Sequence, residues 1–361
     1  MKDSLKIGAA IIGVMIGAGF ASGQEVFLFF TSYGWVGLVG AVISGIAFGL
    51  IFMQVGKLGN IMQTTSHEKV INKICGRYLG NVLDIVMTVY LFGILVLMVA
   101  GSGTLFDQQF GLPKIVGSLL MVILTILSVN LNMKNILTIL AAFTPILLIA
   151  IIGLGIYSIL TTNLTLVEIE SMVDPSQSAA PHWLLGTLLY ISMITATGFA
   201  MLTVIGGSTE KQKIVNHGGV LGGVGFGVFI VLFHIALMSK FDQIQYVEMP
   251  TLLLFAELSP WLGFAMAILI FGMIFNTAVG MLYSFSVRLT RPDHPKFKLR
   301  NVYIGGIAFL LSFVGFTKLI GFILPAMGYI GFPLIGGIII SYFRFKEKAR
   351  EKQPVITEQT N

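Results

Sequence analysis

Residues 11–30 read IIGVMIGAGFASGQEVFLFF. Apolar sequence lies on both sides of Gly17-Ala18-Gly19-Phe20-Ala21-Ser22-Gly23, a stretch that holds three glycines. The full apolar run covers about residues 5–33. As one helix at ~1.5 Å per residue it would be ~43 Å long, longer than a hydrocarbon core of about 30 Å requires. Each glycine weakens a helix interior by about 1 kcal/mol relative to alanine. Three within one turn or two therefore predict local unwinding in the middle of a membrane-crossing segment.

The rest of the chain agrees with a membrane setting. Of 361 residues, 56% are hydrophobic and only 11% charged, with a mean hydropathy of +0.92. A soluble domain carries roughly 25% charged residues, so a water-soluble fold is excluded. The formal charge of +6 does not point to nucleic acid, because Lys and Arg cluster between apolar runs and form no stripe with stacking aromatics. One cysteine, Cys75, allows no intrachain disulfide and no multi-cysteine metal site. Walker A, HExxH and GxSxG patterns are absent from the sequence. Gly17-Ala18-Gly19 interrupts an apolar span instead of following a strand, which is wrong for a dinucleotide fingerprint. The chain is therefore read as a non-enzyme without cofactor. Its first apolar run is too long for the core of a cleavable signal and is expected to remain as a span.

Apolar runs near 5–33, 35–57, 78–106, 115–132, 134–160, 183–207, 213–239, 260–288, 300–316 and 319–343 predict ten transmembrane helices in an all-α integral membrane protein. With the N-terminus in the cytoplasm, nineteen Lys and Arg fall inside and only Lys114, Lys240 and Lys318 outside. The positive-inside rule then places both termini in the cytoplasm. Residues 66–77 (SHEKVINKICGR) read as an interfacial helix lying on the membrane. Residues 249–258 (MPTLLLFAEL) form a helix too short to cross, and 347–361 a polar, disordered tail.

The sixth run carries its own interruption, Ile194-Thr195-Ala196-Thr197-Gly198-Phe199. Runs 1 and 6 each open a set of five. Five is odd, so the second set enters the membrane from the opposite face and the halves (about 5–160 and 183–345) form a 5+5 inverted repeat. Paired, Gly-interrupted spans in matching places mark a transporter binding site at the midplane. Close helix packing explains glycines equally well in span 7, where Gly218, Gly219, Gly222, Gly223 and Gly227 give small-xxx-small spacings. Unwinding at both breaks would free N–H groups near Gly23 and Phe199 for a carboxylate. Carbonyls near residues 16–18 and 194–196 would suit an ammonium or Na+. The expected substrate-binding residues are Gly17, Ala18, Gly19, Phe20, Gly23, Thr195, Thr197, Gly198 and Phe199.

Glu25 lies just past the first break and has two compatible readings. It is either a coupling carboxylate or, in the S-x-x-E frame of Ser22-Gly23-Gln24-Glu25, the far member of a capping box. Asp84 reads as an interfacial partner of a nearby Lys or Arg, and His234, alone in span 7, as a packing residue.

Ile16-Gly17-Ala18-Gly19-Phe20 resembles the unwound helix-1 motif of the amino acid–polyamine–organocation superfamily, which has the leucine-transporter fold. Ser208-Thr209-Glu210-Lys211 resembles the linker after helix 6 there, and GAGFASGQE is similar to the YkvI-type bacterial membrane proteins. One departure is the apolar Phe199-Ala200-Met201-Leu202, where many members carry an acidic residue. The resemblance implies that Tyr90 in span 3 faces the helix-1 break and adds to the substrate site. It also implies that Asn276 and Thr277 in span 8 face helix 1 as ion-coupling residues beside Glu25. With carbonyls near Val14 and Gly17, these two offer a Na+ site. Residues 249–258 take the place of an external lid. The implied function is secondary transport of a small amino-acid-like solute across the bacterial cytoplasmic membrane, coupled to Na+ or H+. The rival is a ligand-sensing receptor subunit of the same fold, as in spore germination, which binds without net transport.

Overall fold

A computed structural model describes residues 1–63, 67–130, 143–161, 166–291 and 293–351. Its described residues are helical, with no strand among them. The first apolar run is in three pieces: α1 (Lys2–Met15), the single turn α2 (Ala18–Ala21) and α3 (Gln24–Phe29). A 3-10 turn (Thr31–Tyr33) leads into α4 (Trp35–Met62), then α5 (His67–Cys75), α6 (Arg77–Phe110) and α7 (Lys114–Val129). After these come α8 (Phe143–Thr161), α9 (Leu166–Met172), α10 (Trp183–Gly207) and α11 (Gln212–Met238). The chain continues with α12 (Phe241–Ile244), α13 (Pro250–Leu258), α14 (Pro260–Leu289), α15 (Phe297–Ser312) and α16 (Phe316–Glu351).

Six of the described helices (α4, α6, α10, α11, α14 and α16) are long and apolar enough to cross a membrane, and α7 and α8 are shorter apolar helices. Much of the apolar span 134–160 coincides with α8, but residues 134–142 lie outside the described set, as do 352–361 of the tail. The tail does not begin at Glu347, because α16 continues as helix to Glu351. It does so despite Pro325 and Pro333 within it, each of which removes a backbone hydrogen bond and favours a kink.

The helices fall into two packing groups. α1, α4, α10 and α11 form one; α6, α7, α14 and α15 form the other, with α16 lying against both α10 and α6. Glycine spacing explains the first group. Gly219, Gly223 and Gly227 recur every four residues along one face of α11, and a β-carbon on any of them would strike the α4 backbone at Met53, Phe48 or Gly45. On the adjacent face, Gly218 and Gly222 admit Ile7 and Ile11 of α1. With lipid tails as apolar as the side chains, this backbone-to-backbone approach supplies the packing that holds the helices together.

The amphipathic segment 66–77 is corrected in one respect. Its helix, α5, buries Val70 and Ile71 against α6, α10 and α16, so the apolar stripe is spent on protein contact rather than on lipid. It ends at Gly76, whose φ of 77° requires glycine.

Candidate functional site

The interruption of the first run is built by extended backbone. Ile16 (φ −82°, ψ 101°) and Gly17 (φ −101°, ψ −177°) lie between α1 and α2, so the carbonyls of Gly13, Val14 and Met15 lose their helical partners. α2 then makes one turn. Ala21 N–H donates to Gly17 O at 3.0 Å and Ser22 N–H to Ala18 O at 3.0 Å. Gly23 breaks the helix again at φ 82°, and α3 starts at Gln24 with its free N–H groups directed at the break.

Glu25 comes off the first turn of α3 and is 7% exposed. The capping-box reading is overturned. Ser22 N–H is already bonded to Ala18 O, and the Ser22 hydroxyl donates to Gly19 O at 2.9 Å while accepting Gln24 N–H at 3.3 Å. Gly23, not Ser22, holds the N-cap position. Glu25 Oε1 instead accepts the Tyr190 hydroxyl at 3.0 Å. Tyr190 is fully buried on α10, caged by Phe29 at 5.2 Å and Phe30 at 4.8 Å between ring centroids. The other oxygen, Oε2, lies 2.7 Å from where a β-carbon on Gly19 would stand. Gly19 is thus the gap that admits the carboxylate. The ion pairs among the described residues, Lys6–Asp3, Lys114–Asp107 and Lys114–Glu248, do not involve Glu25.

The expected break in the sixth run is not present. α10 is continuous from Trp183 to Gly207. The hydroxyls that suggested a polar break close on their own helix: Thr195 Oγ1 donates to Ile191 O at 2.7 Å and Thr197 Oγ1 to Met193 O at 3.0 Å. This back-bonding satisfies Ser and Thr inside apolar helices, and one glycine costs too little to open a packed span. Gly198 instead makes room for the Met15 thioether, which a β-carbon would strike. No N–H groups are therefore freed at Phe199.

The expected substrate residues divide between two places. Tyr90, Thr197 and Phe199 line one cavity of about 420 Å³, walled by Ile71 of α5, Met87 and Leu91 of α6, Met281 and Val287 of α14 and Leu334 of α16. Arg288 stands at its mouth, donating to Thr88 Oγ1 at 2.7 Å. Gly17, Ala18, Gly19 and Gly23 belong to the interruption and do not line the cavity. Phe20 lies outside the cavity lining: it is fully buried and packs on Phe226 and Phe233 at 5.5 and 5.4 Å. Thr195 is likewise fully buried.

Thr277 and Asn276 sit on α14, which packs on α2. The Thr277 hydroxyl donates to Met273 O at 3.0 Å, leaving its lone pairs available. The Val14 side chain is 40% exposed, so only its carbonyl can serve the site. His234 is buried with Nδ1 3.2 Å from Thr31 Oγ1, a packing role with one polar partner. The side chain of Asp84 lies outside the described set.

The end of the bundle opposite Arg77 and Arg288 is sealed. Thr251 N–H, in the first turn of α13, donates to Ser22 O at 3.1 Å. Gln108 of α6 brackets the Met249 backbone, donating to its carbonyl at 3.0 Å and accepting its N–H at 3.1 Å. Glu248 ties this segment to Lys114 of α7, to Thr104 of α6 at 3.2 Å and to Thr317 of α16 at 3.3 Å. A second set of bonds covers α3. Ala179 N–H donates to Leu28 O at 2.9 Å, Tyr33 OH donates to Ala180 O at 2.7 Å, and Glu170 accepts the Trp35 N–H at 2.7 Å. In the segment between α9 and α10, the Ser176 N–H holds Asp174 below the usual carboxylate range.

Comparison with solved structures shows the fold. MhsT in complex with L-phenylalanine superposes with a TM-score of 0.61 at 18% identity, covering 94% of this chain and 88% of that one. The fold is that of the leucine transporter. A manganese transporter from Eremococcus coleocola aligns with a TM-score of 0.59 at 14% identity over 92% of this chain and 77% of its own. Among sequences, the membrane protein YkvI of Bacillus subtilis (strain 168) is 24% identical over 333 residues, 91% of this chain and 93% of YkvI. YyaD of the same strain is 26% identical over 326 residues, 90% and 93% of the two lengths. No family model matches. With a membrane protein among its relatives and six described helices long and apolar enough to cross a bilayer, the chain is a membrane protein.

Proposed function

We propose that this chain is a secondary transporter of a small amino-acid-like solute, working by alternating access across the bacterial cytoplasmic membrane. Ten crossings are assigned to α1–α3, α4, α6, α7, the span containing α8, α10, α11, α14, α15 and α16, with both termini cytoplasmic. The two packing groups support an inverted repeat. Spans 1 and 2 pack with their counterparts 6 and 7, and spans 3 and 4 with 8 and 9. In this orientation the cavity opens to the cytoplasm and α13 closes the outside, an inward-facing arrangement.

The observation that carries the reading is Glu25, a carboxylate buried at the break of the first span with no ion-pair partner among the described residues. An ionisable group placed so deep in a bilayer is costly unless function requires it. Coupling to a proton at Glu25 follows. A Na+ ion is the second reading, favoured by the carbonyls of Gly13 to Met15, which lose their helical partners at the break, and by Thr277 on the helix that packs on α2. Among the described residues no three His, Cys, Asp or Glu converge as a metal site, so the donor set suits an organic solute better than a divalent metal. The apolar cavity wall favours a solute with a bulky apolar side chain.

Uptake of labelled amino acids into proteoliposomes, under an imposed pH or Na+ gradient, tests the proposal. Gradient-driven accumulation supports it. Saturable binding without accumulation under either gradient would instead identify a sensor.

A further inference from the structure

The bond between Glu25 and Tyr190 joins the interrupted first span to the continuous α10. Glu25 is on α3, the outer piece of the interrupted span, and Tyr190 is on the continuous α10. The phenol oxygen stands 3.0 Å from Oε1, and its ring is clamped by Phe29, Phe30 and Phe48. Such a donor has little freedom to follow the carboxylate if α3 shifts.

The surroundings of Glu25 make this hydroxyl decisive. Tyr190 is the one titratable residue of α10. On α11, His234 faces Thr31, and Lys213 and His217 lie at the other end of the helix. The 3-10 turn contributes Tyr33, engaged with Ala180. α16 contributes Tyr329, with Lys318 near its start and Tyr342 further along. Tyr90 on α6 lines the cavity, and Arg288 of α14 is engaged with Thr88 at the cavity mouth. No cation pairs with Glu25 among the described residues, so the neutral Tyr190 donor is its main stabiliser as an anion.

We propose that Tyr190 is the positioning residue of the Glu25 proton site, holding the carboxylate toward Gly19 and favouring its ionised form in the inward-facing arrangement. This rests on the proton-coupled reading of Glu25. The step balances simply: the Glu25 carboxyl gives its proton to water, its O–H bond breaks, and Tyr190 keeps its own proton while donating to the new anion. Without the donor the carboxylate takes up a proton more readily.

Tyr190→Phe tests this, because it removes the hydroxyl and keeps the ring in its aromatic cage. The protonation of Glu25 is followed by infrared difference spectroscopy in detergent, its carboxyl band assigned with Glu25→Gln. A donor to a charged acceptor is worth enough to move the titration midpoint upward by about one to two pH units. The pH profile of driven uptake should move with it, while uptake in the Glu25→Gln background should not change when Tyr190→Phe is added. An unmoved infrared midpoint in a monodisperse variant overturns the role of Tyr190. A shifted midpoint with wild-type uptake indifferent to pH upholds the positioning role and refutes proton coupling.

Discussion

Gly17 and Gly19 are two residues apart in one motif, yet the structure assigns them opposite tolerance to alanine. At Gly17 a new β-carbon meets nothing within 4 Å, and its φ of −101° is open to any residue. At Gly19 the β-carbon would stand 2.7 Å from Glu25 Oε2. Ordinary contact begins near 3.4 Å, so the carboxylate must retreat by roughly half an ångström or more. The bond to Tyr190, already 3.0 Å long, then stretches to the limit at which hydrogen bonds lose most of their energy. A bond to a charged acceptor is worth about 1.5–3 kcal/mol, or roughly 10- to 100-fold in any equilibrium that depends on it. Gly19→Ala should therefore cut gradient-driven uptake by about 10-fold or more, with thermal stability nearly intact because a carboxylate at the end of a flexible side chain absorbs the clash. Gly17→Ala should transport normally. The assay is initial-rate uptake in proteoliposomes matched for inserted protein. Equal rates in the two variants would refute the carboxylate cradle and leave the glycines as simple helix breakers.

Gly23→Ala combines a left-handed φ of 82° with a contact of 2.7 Å to Thr251 Oγ1. The left-handed conformation alone costs about 1–2 kcal/mol, so the seal by α13 should weaken, with faster hydrogen exchange in residues 250–258 as the readout. Glu248→Gln removes the charge facing Lys114 and loosens three helices from the α13 segment. A cysteine at Gln24, with Cys75→Ser, should then react several-fold faster with an impermeant thiol reagent from outside, and an unchanged rate would count against the latch. Thr277→Ala should raise the Na+ concentration for half-maximal uptake several-fold if Na+ is the coupling ion. Indifference of the wild type to replacing Na+ with choline removes that second reading.

Hydropathy located the six described helices that are long and apolar enough to cross a membrane to within about five residues at each end, because the bilayer imposes one length on every crossing. The first-span interruption was legible for a related reason: three glycines in a run too long to span are a local property. The sixth span misled because Thr195 and Thr197 look polar in sequence, and only the helix itself shows both hydroxyls returning to carbonyls one turn back. Phe20 sits in the motif but turns toward Phe226 and Phe233, a direction that depends on where α11 packs. Tyr190 was missed altogether. It lies 165 residues from Glu25, and a lone tyrosine in an apolar helix carries no spacing signal; only the tertiary contact gives it meaning. Ser22 and Glu25 show the converse, a local capping pattern overridden by a distant partner.

The central claim is that Glu25 carries the coupling proton of an alternating-access transporter. Glu25→Gln in proteoliposomes tests it most directly, with driven uptake and exchange measured on the same preparation. Glutamine keeps the shape and can still accept the Tyr190 hydroxyl, but it cannot take up and release a proton. The account predicts that accumulation under an inward proton gradient is abolished while exchange of internal for external labelled solute continues near the wild-type rate. Accumulation that survives at full strength in Glu25→Gln would contradict it.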